Sequence, residues 1–499
     1  MSSHRQIFKS TALIGGTQII NMGIGILRTK VLAMLLGPAG MGLAGLYMSA
    51  TSLIGSVSGL GINASGVRQI AEAAGSNDET RIARTAITLR RISMISGALG
   101  MLLVLVLAPL LSRTTFGDEK HVFGVALMSL TLLFGGISAG QSALLQGLRR
   151  LRELAMSQIL GTIFGALVSI VLVWWLRDQG IVPYLVAISA FSILLSWWYA
   201  RRVPLVGVVV TWRETFTESK GLLVMGMAFT TAALISSGTA YLTRVLVQHE
   251  LGLVAVGIYT ATWTLSTYYV SFILSAMGTD FMPRLTASAH DHSTLNRLVN
   301  EQTEMGVLIA IPGVLATLTL APWVMQAFYS AEFVQGAEVA RWQILGVFLR
   351  VVSWPLGYVL IAKGKSFLFT MSELAFGVTN VVLILVCIKL LKLDGIGISF
   401  ALSYLVYTLM MVLIVWKLTD FRYSPTALKI FGPVILVVAV TFACTRFLPH
   451  VWSISVGLTL TAITGVVSLL VLQKLLGVDL LGRLISKFRP NSPSSSELK

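Results

Sequence analysis

Two stretches of the chain match each other, Gly42-Leu43-Ala44-Gly45-Leu46-Tyr47 and Val256-Gly257-Ile258-Tyr259, with the two tyrosines 212 positions apart. A second match follows in the same order, because Val67-Arg68-Gln69-Ile70-Ala71 lines up with Pro283-Arg284-Leu285-Thr286-Ala287 at an offset of 216. Later matches, such as Gly180-Ile181 with Gly395-Ile396, keep nearly the same spacing. Ordered matches at an almost constant offset predict an internal repeat.

The composition places this repeat in a membrane. Of the 499 residues, 55% are hydrophobic and only 12% are charged, and the mean hydropathy is +0.83, whereas soluble domains average about 25% charged residues. Apolar runs recur from Ile7 to Leu475, each about the 20 residues that a membrane-crossing helix needs. Cys387 and Cys444 lie inside such runs and indicate buried thiols, neither a disulfide framework nor a metal site. We therefore predict an all-α polytopic membrane protein.

The apolar runs predict fourteen transmembrane helices. They lie near 9–36, 41–66, 88–112, 121–147, 154–177, 181–200, 219–248, 253–281, 303–328, 339–363, 367–391, 394–417, 427–447 and 452–474. The repeat groups the first twelve into two six-helix halves. Because six is even, both halves enter the membrane in the same direction, which is typical of transporters with parallel repeats.

These spans divide the chain into five predicted parts. They are an N-terminal six-helix lobe over 1–201, a cytoplasmic interlobe linker over 202–218, a C-terminal six-helix lobe over 219–418, an additional helix pair over 427–474 and a cytoplasmic tail over 475–499. The linker is basic and is expected to tether two moving bodies.

The distribution of Lys and Arg predicts cytoplasmic N- and C-termini. When connections are assigned alternately to the two sides, 26 basic residues fall on the side of the N-terminus and 8 on the other. Trp197 and Trp198 beside Arg201, and Trp174 beside Arg177, fit aromatic belts at opposite membrane interfaces. Anchoring by these cytoplasmic basic residues explains the net charge of +16, so a nucleic-acid partner is not needed to account for it.

Motifs of catalysis are missing from the sequence. It contains no phosphate-binding Gly-x-x-x-x-Gly-Lys-Ser/Thr loop, no His-Glu-x-x-His and no nucleophile elbow. The external connections are too short for a catalytic domain, which disfavours a glycan ligase or polymerase. His290-Asp291-His292 lies in a short polar loop where adjacent side chains meet solvent. We expect no enzymatic activity, no catalytic residue, no cofactor and no metal site.

Arg350 is the deepest charge within a predicted span. It lies roughly 16 Å from either surface of a ~30 Å hydrocarbon core, where a charge costs several kcal/mol unless it has a partner or faces a wet cavity. A guanidinium binds phosphate through two hydrogen bonds, so we predict that Arg350 contacts an anionic head group. Pairing with Glu373 or with backbone carbonyls is the structural alternative.

Three further cations are candidates for the same head group. Arg28 and Lys30 lie towards the external end of span one, and Arg244 occupies nearly the repeat-equivalent place in span seven. Residues two apart on a helix point about 200° away from each other, so Arg28 and Lys30 cannot both face one cavity squarely. The sequence leaves open which of the two does so.

Two carboxylates are candidates for coupling to H⁺ or Na⁺. Asp280 and Glu373 lie within predicted spans, where desolvation raises a carboxyl pKa towards the working range. Pairing with Arg284 explains Asp280 equally well. Arg68 and Arg284, matched across the repeat, are candidates for a cytoplasmic gate, with cytoplasmic anchoring as the alternative.

Several segments resemble a known family of transporters. They are Gly37-Pro38-Ala39-Gly40-Met41-Gly42-Leu43, Phe281-Met282-Pro283-Arg284-Leu285, Arg341-Trp342-Gln343-Ile344-Leu345-Gly346 and Gly357-Tyr358-Val359-Leu360-Ile361-Ala362-Lys363. Over residues 1 to about 420, the chain resembles the O-antigen and enterobacterial-common-antigen lipid-linked oligosaccharide flippases of the multidrug/oligosaccharidyl-lipid/polysaccharide exporter superfamily. Glu373 falls where similar flippases carry an acidic residue.

The resemblance implies a V-shaped, MATE-like bundle of two six-helix lobes with two extra C-terminal helices. It implies translocation of an undecaprenyl-pyrophosphate-linked oligosaccharide from the cytoplasmic to the periplasmic leaflet of a bacterial inner membrane by ion-coupled alternating access. The expected partners are this lipid-linked oligosaccharide, membrane lipids and polysaccharide polymerase or assembly proteins, and the expected functional unit is a monomer.

Two alternatives stay open within the superfamily. The added pair 427–474 is similar to the fourteen-span lipid II flippases, in which the extra helices form a groove for the lipid tail. A drug or small-molecule antiporter is the second alternative, but cationic substrates would favour an anionic cavity. The predicted cavity is cationic. A non-transporting assembly protein would leave the charges within the spans unexplained.

Overall fold

The computed structural model describes residues 3–76 and 78–476, which are helical with short connections and no strand among them. The helices are α1 (Ser3–Ser58), α2 (Ile62–Gly75), α3 (Glu79–Phe116), α4 (Val122–Gly147), α5 (Leu151–Leu176), α6 (Ile181–Ala200), α7 (Trp212–Ala287), α8 (His292–Phe328), α9 (Ala337–Ala362), α10 (Ser366–Thr419), α11 (Pro425–Phe447) and α12 (His450–Leu476). Short 3₁₀ turns lie at Arg177–Gly180 and Ala331–Gly336. The predicted all-α class is confirmed. The predicted tail lies outside the described residues from 477 onwards.

The helices match the predicted number of spans. Ten helical segments within the described residues are long and apolar enough to cross a membrane. Four of them contain an internal break, at Gly37, Arg177, Gly252 and Lys392. When these four are divided at their breaks, the ten segments give fourteen helical stretches. Most of their boundaries lie close to those of the apolar runs. The span predicted over 41–66 is the main exception, because α1 ends at Ser58 and α2 begins separately at Ile62.

Two helices extend well beyond their predicted spans. Helix α3 begins at Glu79 and α8 at His292, nine and eleven residues before the corresponding apolar runs. Asp78 and Asp291 cap them, because each carboxylate accepts hydrogen bonds from two backbone amides of the first turn. Hydrogen bonds from Thr294 and Ser293 lower the pKa of the Asp291 carboxyl to about 2. Hydropathy detects only the apolar part of such a helix. The polar first turns of α3 and α8 were therefore not predicted as helical.

The breaks in the backbone repeat along the chain. Ten of the described residues have a positive φ, and six of these form three pairs whose members are 215 positions apart. Such angles are costly for residues other than glycine, so their recurrence reflects a repeated architecture. The pairs are Gly37 (φ 61°) with Gly252 (φ 82°), Arg149 (φ 57°) with Gly364 (φ 68°), and Arg177 (φ 51°) with Lys392 (φ 50°). The predicted parallel repeat is confirmed by these breaks.

The chain divides into two compact units. The first contains residues 1–262, 322–337 and 373–399, and the second contains 263–321, 338–372 and 400–499. The first unit therefore holds the whole predicted N-terminal lobe and also the beginning of the predicted C-terminal lobe. The lobe boundaries at 201 and 219 stay a prediction about moving bodies.

The two stretches that match in sequence also contact each other within the first unit. A Cβ atom added to Gly257 would lie 1.8 Å from the carbonyl oxygen of Pro38, and one added to Gly42 would lie 2.2 Å from the carbonyl oxygen of Leu253. The backbones of 38–42 and 253–257 thus approach more closely than any residue with a side chain allows. The repeated glycines join the two repeats directly.

The predicted linker is fixed to α3 by arginine side chains. Arg91 donates hydrogen bonds of 2.9 Å to the carbonyl oxygen of Val210 and of 2.9 Å to the hydroxyl of Thr215. Arg84 pairs with Glu214 at 3.4 Å. Within the first unit, the linker is therefore an ordered connection with specific contacts.

Candidate functional site

Arg28 lies in α1 with its side chain half-buried in the first unit. Its Nε atom is buried and has no hydrogen-bond partner among the described residues. Tyr184, which is only 4% exposed, lies close enough for the charge of Arg28 to act on its hydroxyl. A buried guanidinium nitrogen without an acceptor carries a desolvation cost that an anionic ligand offsets. Arg28 is therefore suited to receive a phosphate.

Lys30, unlike the Nε atom of Arg28, has a hydrogen-bond partner among the described residues. Its ammonium donates a hydrogen bond of 2.7 Å to the carbonyl oxygen of Gln326, near the end of α8. The carbonyls at the end of a helix carry partial negative charge and attract cations. Helix geometry predicted that Arg28 and Lys30 point apart, and the structure gives Lys30 a backbone partner. Arg28 is thus the better candidate for ligand binding.

Arg244 in α7 repeats the arrangement of Arg28. Its guanidinium lies 5.4 Å from the ring centroid of Tyr259, a tyrosine that is 6% exposed. One terminal nitrogen donates to the carbonyl oxygen of Ala240 at 3.1 Å, whereas Nε is buried and unpartnered among the described residues. Arg28 and Arg244 therefore each combine a buried, unsatisfied Nε with a buried tyrosine, at an offset of 216.

Arg350 and Glu373 belong to different compact units. Arg350 lies half-buried in α9 of the second unit, where no described residue of that unit forms an ion pair with it. Glu373 lies half-buried in α10 and belongs to the first unit. The predicted roles of Arg350 in head-group binding and of Glu373 in ion coupling stay predictions.

The candidates for the cytoplasmic mouth are exposed. Arg284 and Asp280 form an ion pair of 3.1 Å between successive turns at the end of α7, with side chains 56% and 77% exposed. This pairing is the alternative that the sequence left open for Asp280. Because the Asp280 carboxylate is exposed, desolvation does not prepare it for ion coupling. Arg68 is also exposed. The gate role of Arg68 and Arg284 stays a prediction.

The sequence profile of a family described as "Polysaccharide biosynthesis protein" matches residues 31–338, more than half of the chain. The chain belongs to this polysaccharide biosynthesis protein family.

Relatives and solved structures agree with the family. The polysaccharide biosynthesis protein is 26% identical to the lipid III flippase of Escherichia coli (strain K12) over 385 residues, which cover 74% of the chain and 88% of the flippase. The lipid II flippase MurJ in an inward closed conformation has a TM-score of 0.65 at 12% identity, covering 91% of the chain and 98% of that structure. An inward-facing multidrug resistance MATE transporter has a TM-score of 0.62 at 16% identity, covering 81% and 99%. The MATE-like fold is confirmed.

Several polar side chains of the first unit with buried atoms were not identified as candidates from the sequence. Tyr259 was quoted only as part of the repeat, and Tyr184 was not selected. Asn21 and Gln248, whose side-chain oxygens are buried without a partner among the described residues, were not selected either. Asn21 and Gln248 could have been found as amides inside apolar runs. Tyr184 has apolar neighbours in sequence, and no pattern indicates that it faces Arg28.

A separate polar cavity of about 800 Å³ lies between α2, α3 and the beginning of α7. The two arginines in its lining are paired, Arg81 with Glu72 at 3.3 Å and Arg84 with Glu218 at 3.8 Å. Asp78, in its wall, caps α3. With its cations neutralised in this way, the cavity is less suited to a phosphate than Arg28 is.

The turn before α4 brings His121 against Tyr47, one of the tyrosines of the repeat. The hydroxyl of Tyr47 lies 2.9 Å from Nδ1 of His121, and Phe116 stacks on the imidazole with centroids 4.2 Å apart. Burial lowers the pKa of His121, which the charge of Asp118 opposes and that of Lys120 reinforces. The lowered pKa favours the neutral imidazole of His121, whose Nδ1 shares a hydrogen bond with the hydroxyl of Tyr47.

The stability of the polysaccharide biosynthesis protein is expected to fall as the pH drops below about 6.5. Because the pKa of His121 is lower in the folded than in the unfolded chain, the unfolded chain binds more protons in this window, and acidification favours unfolding. His121→Asn should flatten this part of the pH dependence. The measurement is the melting temperature of the purified protein in detergent between about pH 5 and 8. His249→Asn is the control, and an unchanged slope in His121→Asn would contradict the assignment.

Proposed function

We propose that this polysaccharide biosynthesis protein is a flippase for an undecaprenyl-pyrophosphate-linked oligosaccharide of the O-antigen repeat-unit type. It moves the head group from the cytoplasmic to the periplasmic leaflet of a bacterial inner membrane. The observation that carries the proposal is the repeated pair of half-buried arginines, Arg28 and Arg244, whose Nε atoms are buried and have no partner among the described residues. The lipid III flippase, similar over most of its length, supports a lipid-linked substrate.

The chemistry of such a substrate explains why cations lie within the spans. A pyrophosphate pays a large desolvation penalty in hydrocarbon, whereas the polyprenyl tail can stay among the lipids. A guanidinium offers paired N–H donors to phosphate oxygens and stays charged at any working pH. Arg28 and Arg244, which share the first unit, replace the lost hydration during passage. The role of Arg350 in contacting the head group stays a prediction. No covalent bond changes in this step, so no catalytic residue is required.

Alternating access between the predicted lobes 1–201 and 219–418 moves the head group across. The proposed energy source is an H⁺ or Na⁺ gradient, with Glu373 as the first candidate for the coupling carboxylate. Glu373 lies within a predicted span, where an ionisable residue is a candidate for function. Asp280, exposed and paired with Arg284, is the weaker candidate.

A lipid II-type flippase is the second candidate function. The observation that favours it is the fold, because the match to the lipid II flippase structure covers 91% of the chain. A drug antiporter is less well supported, since cationic drugs would meet the charges of Arg28 and Arg244.

The test is deletion of the gene in its host, with complementation by the wild-type chain at verified expression. The expected result is loss of surface polysaccharide in the deletion strain, with lipid-linked intermediates accumulating on the cytoplasmic side. Restoration by the wild-type chain completes the assignment. Normal surface polysaccharide together with arrested growth and accumulated lipid II would favour the second candidate, and normal polysaccharide with normal growth would contradict both.

A further inference from the structure

The end of α6 carries a cluster of stacked arginines and aromatic rings. The guanidinium of Arg201 lies 4.6 Å from the ring centroid of Trp197 and 4.0 Å from that of Trp198. Arg202 lies 5.1 Å from Trp198 and 5.3 Å from Tyr199. Ala200 ends the apolar segment Leu151–Ala200, so this cluster lies at the membrane–water interface, where indole rings are favoured.

The two arginines of this cluster are available to a ligand. Both are exposed, and neither has an ion-pair partner within the part of the chain that the structure describes. Stacking occupies the flat face of a guanidinium and leaves its N–H edges free for hydrogen bonds. The cluster therefore presents fixed, unneutralised donors at the level of the lipid head groups.

The neighbouring turn between α4 and α5 adds positive charge. Leu148 of this turn packs in the same apolar cluster as Tyr199 and Val203, which flank the arginines of α6. Arg149 in the turn and Arg152 at the beginning of α5 are exposed and have no ion-pair partner among the described residues. Four arginines without a carboxylate partner thus share one corner of the first unit.

The chain that leaves this corner exposes apolar side chains. Val209 is 88% exposed, Trp212 is 51% exposed and Phe216 is 58% exposed. Trp212 and Phe216 are four residues apart, on one face of the first turns of α7. Basic residues beside exposed apolar ones are typical of segments that lie in the membrane interface. Water would be an unfavourable environment for these side chains, whereas lipid would bury them.

We propose that Arg201 and Arg202, held on Trp197 and Trp198, form a binding site for the phosphate of an anionic phospholipid. Val209 and the aromatic residues that follow lie in the same interface and contact the acyl region. The site is independent of the proposed transport function, because it lies at the lipid-facing end of α6. Its ligand is a structural lipid that holds the linker on the membrane.

The test is native mass spectrometry of the full-length protein in detergent, titrated with phosphatidylglycerol or with phosphatidylcholine. The wild-type protein is expected to bind phosphatidylglycerol more tightly. Each arginine near an anionic lipid changes its binding by about fivefold, so Arg201→Gln should weaken binding about fivefold and Arg201→Gln with Arg202→Gln about 25-fold. Phosphatidylcholine binding should not change.

The matched control is Arg177→Gln, which removes the same charge at the opposite end of the α5–α6 hairpin, beside Trp174. It should leave phosphatidylglycerol binding unchanged, whereas Arg201→Lys should keep most of it. Trp198→Ala should weaken binding without any change of charge. The proposed site would be wrong if the wild type and the double variant bound phosphatidylglycerol equally well. It would also be wrong if Arg177→Gln weakened this binding as much as Arg201→Gln. Displacement of the lipid by an equal concentration of glycerol phosphate would overturn its assignment to a lipid.

Discussion

Arg28→Ala is expected to reduce surface polysaccharide at least tenfold in the complemented deletion strain, while lipid-linked intermediates accumulate. Its Nε is buried without a partner among the described residues, so the guanidinium gains most of its hydrogen bonding from a ligand. A hydrogen bond to a charged group contributes about 1.5–3 kcal/mol, and its loss weakens head-group binding roughly 10- to 100-fold. The measurement is the polysaccharide on the cell surface at equal expression.

Two variants separate ligand binding from the general effect of a lost charge. Arg28→Lys keeps the charge but loses the paired donors, and it should fall between alanine and wild type. Lys30→Gln, two residues away on the same helix, should have a smaller effect because the ammonium of Lys30 bonds to the Gln326 carbonyl. Full transport by Arg28→Ala together with failure of Lys30→Gln would reverse the two roles.

Much of the fold could be predicted from the sequence because the membrane limits what a backbone can do. Every N–H and C=O in hydrocarbon needs an internal partner, so apolar runs become helices and their ends become boundaries. The backbone breaks, which the sequence did not locate, follow the same offset as the repeat, since Gly37 and Gly252 have positive φ 215 positions apart. The polar first turns of α3 and α8 depend on single capping residues and fell outside this signal.

The candidate site was less predictable. A charge inside an apolar run is visible in the sequence, and Arg28 and Arg244 were found in that way. Side-chain partners across helices depend on the rotation of each helix, which hydropathy does not encode when all faces are apolar. The bond from Lys30 to Gln326 joins residues almost 300 positions apart, and no local pattern predicts it. The same holds for Tyr184 beside Arg28.

Gly257→Ala is expected to destabilise the protein by roughly 3 kcal/mol or to prevent its folding, because overpacking a close contact costs about this much. The added methyl group would lie 1.8 Å from the carbonyl oxygen of Pro38. A carbonyl in the backbone cannot rotate away like a side chain, so the two repeats must separate. Gly42→Ala should act similarly, since its Cβ would lie 2.2 Å from the carbonyl oxygen of Leu253. The measurement is the melting temperature in detergent.

Gly25→Ala in α1 is the control for this pair, because a Cβ atom there has nothing within 4 Å. It should leave the melting temperature unchanged or raise it slightly, as alanine favours the helix. Wild-type stability in both Gly257→Ala and Gly42→Ala would show that 38–42 and 253–257 are not in contact in the membrane. A lower melting temperature in both variants, with no change in Gly25→Ala, would show that the two matching stretches pack against each other. Each stretch then recurs because it supplies a glycine that the other stretch contacts.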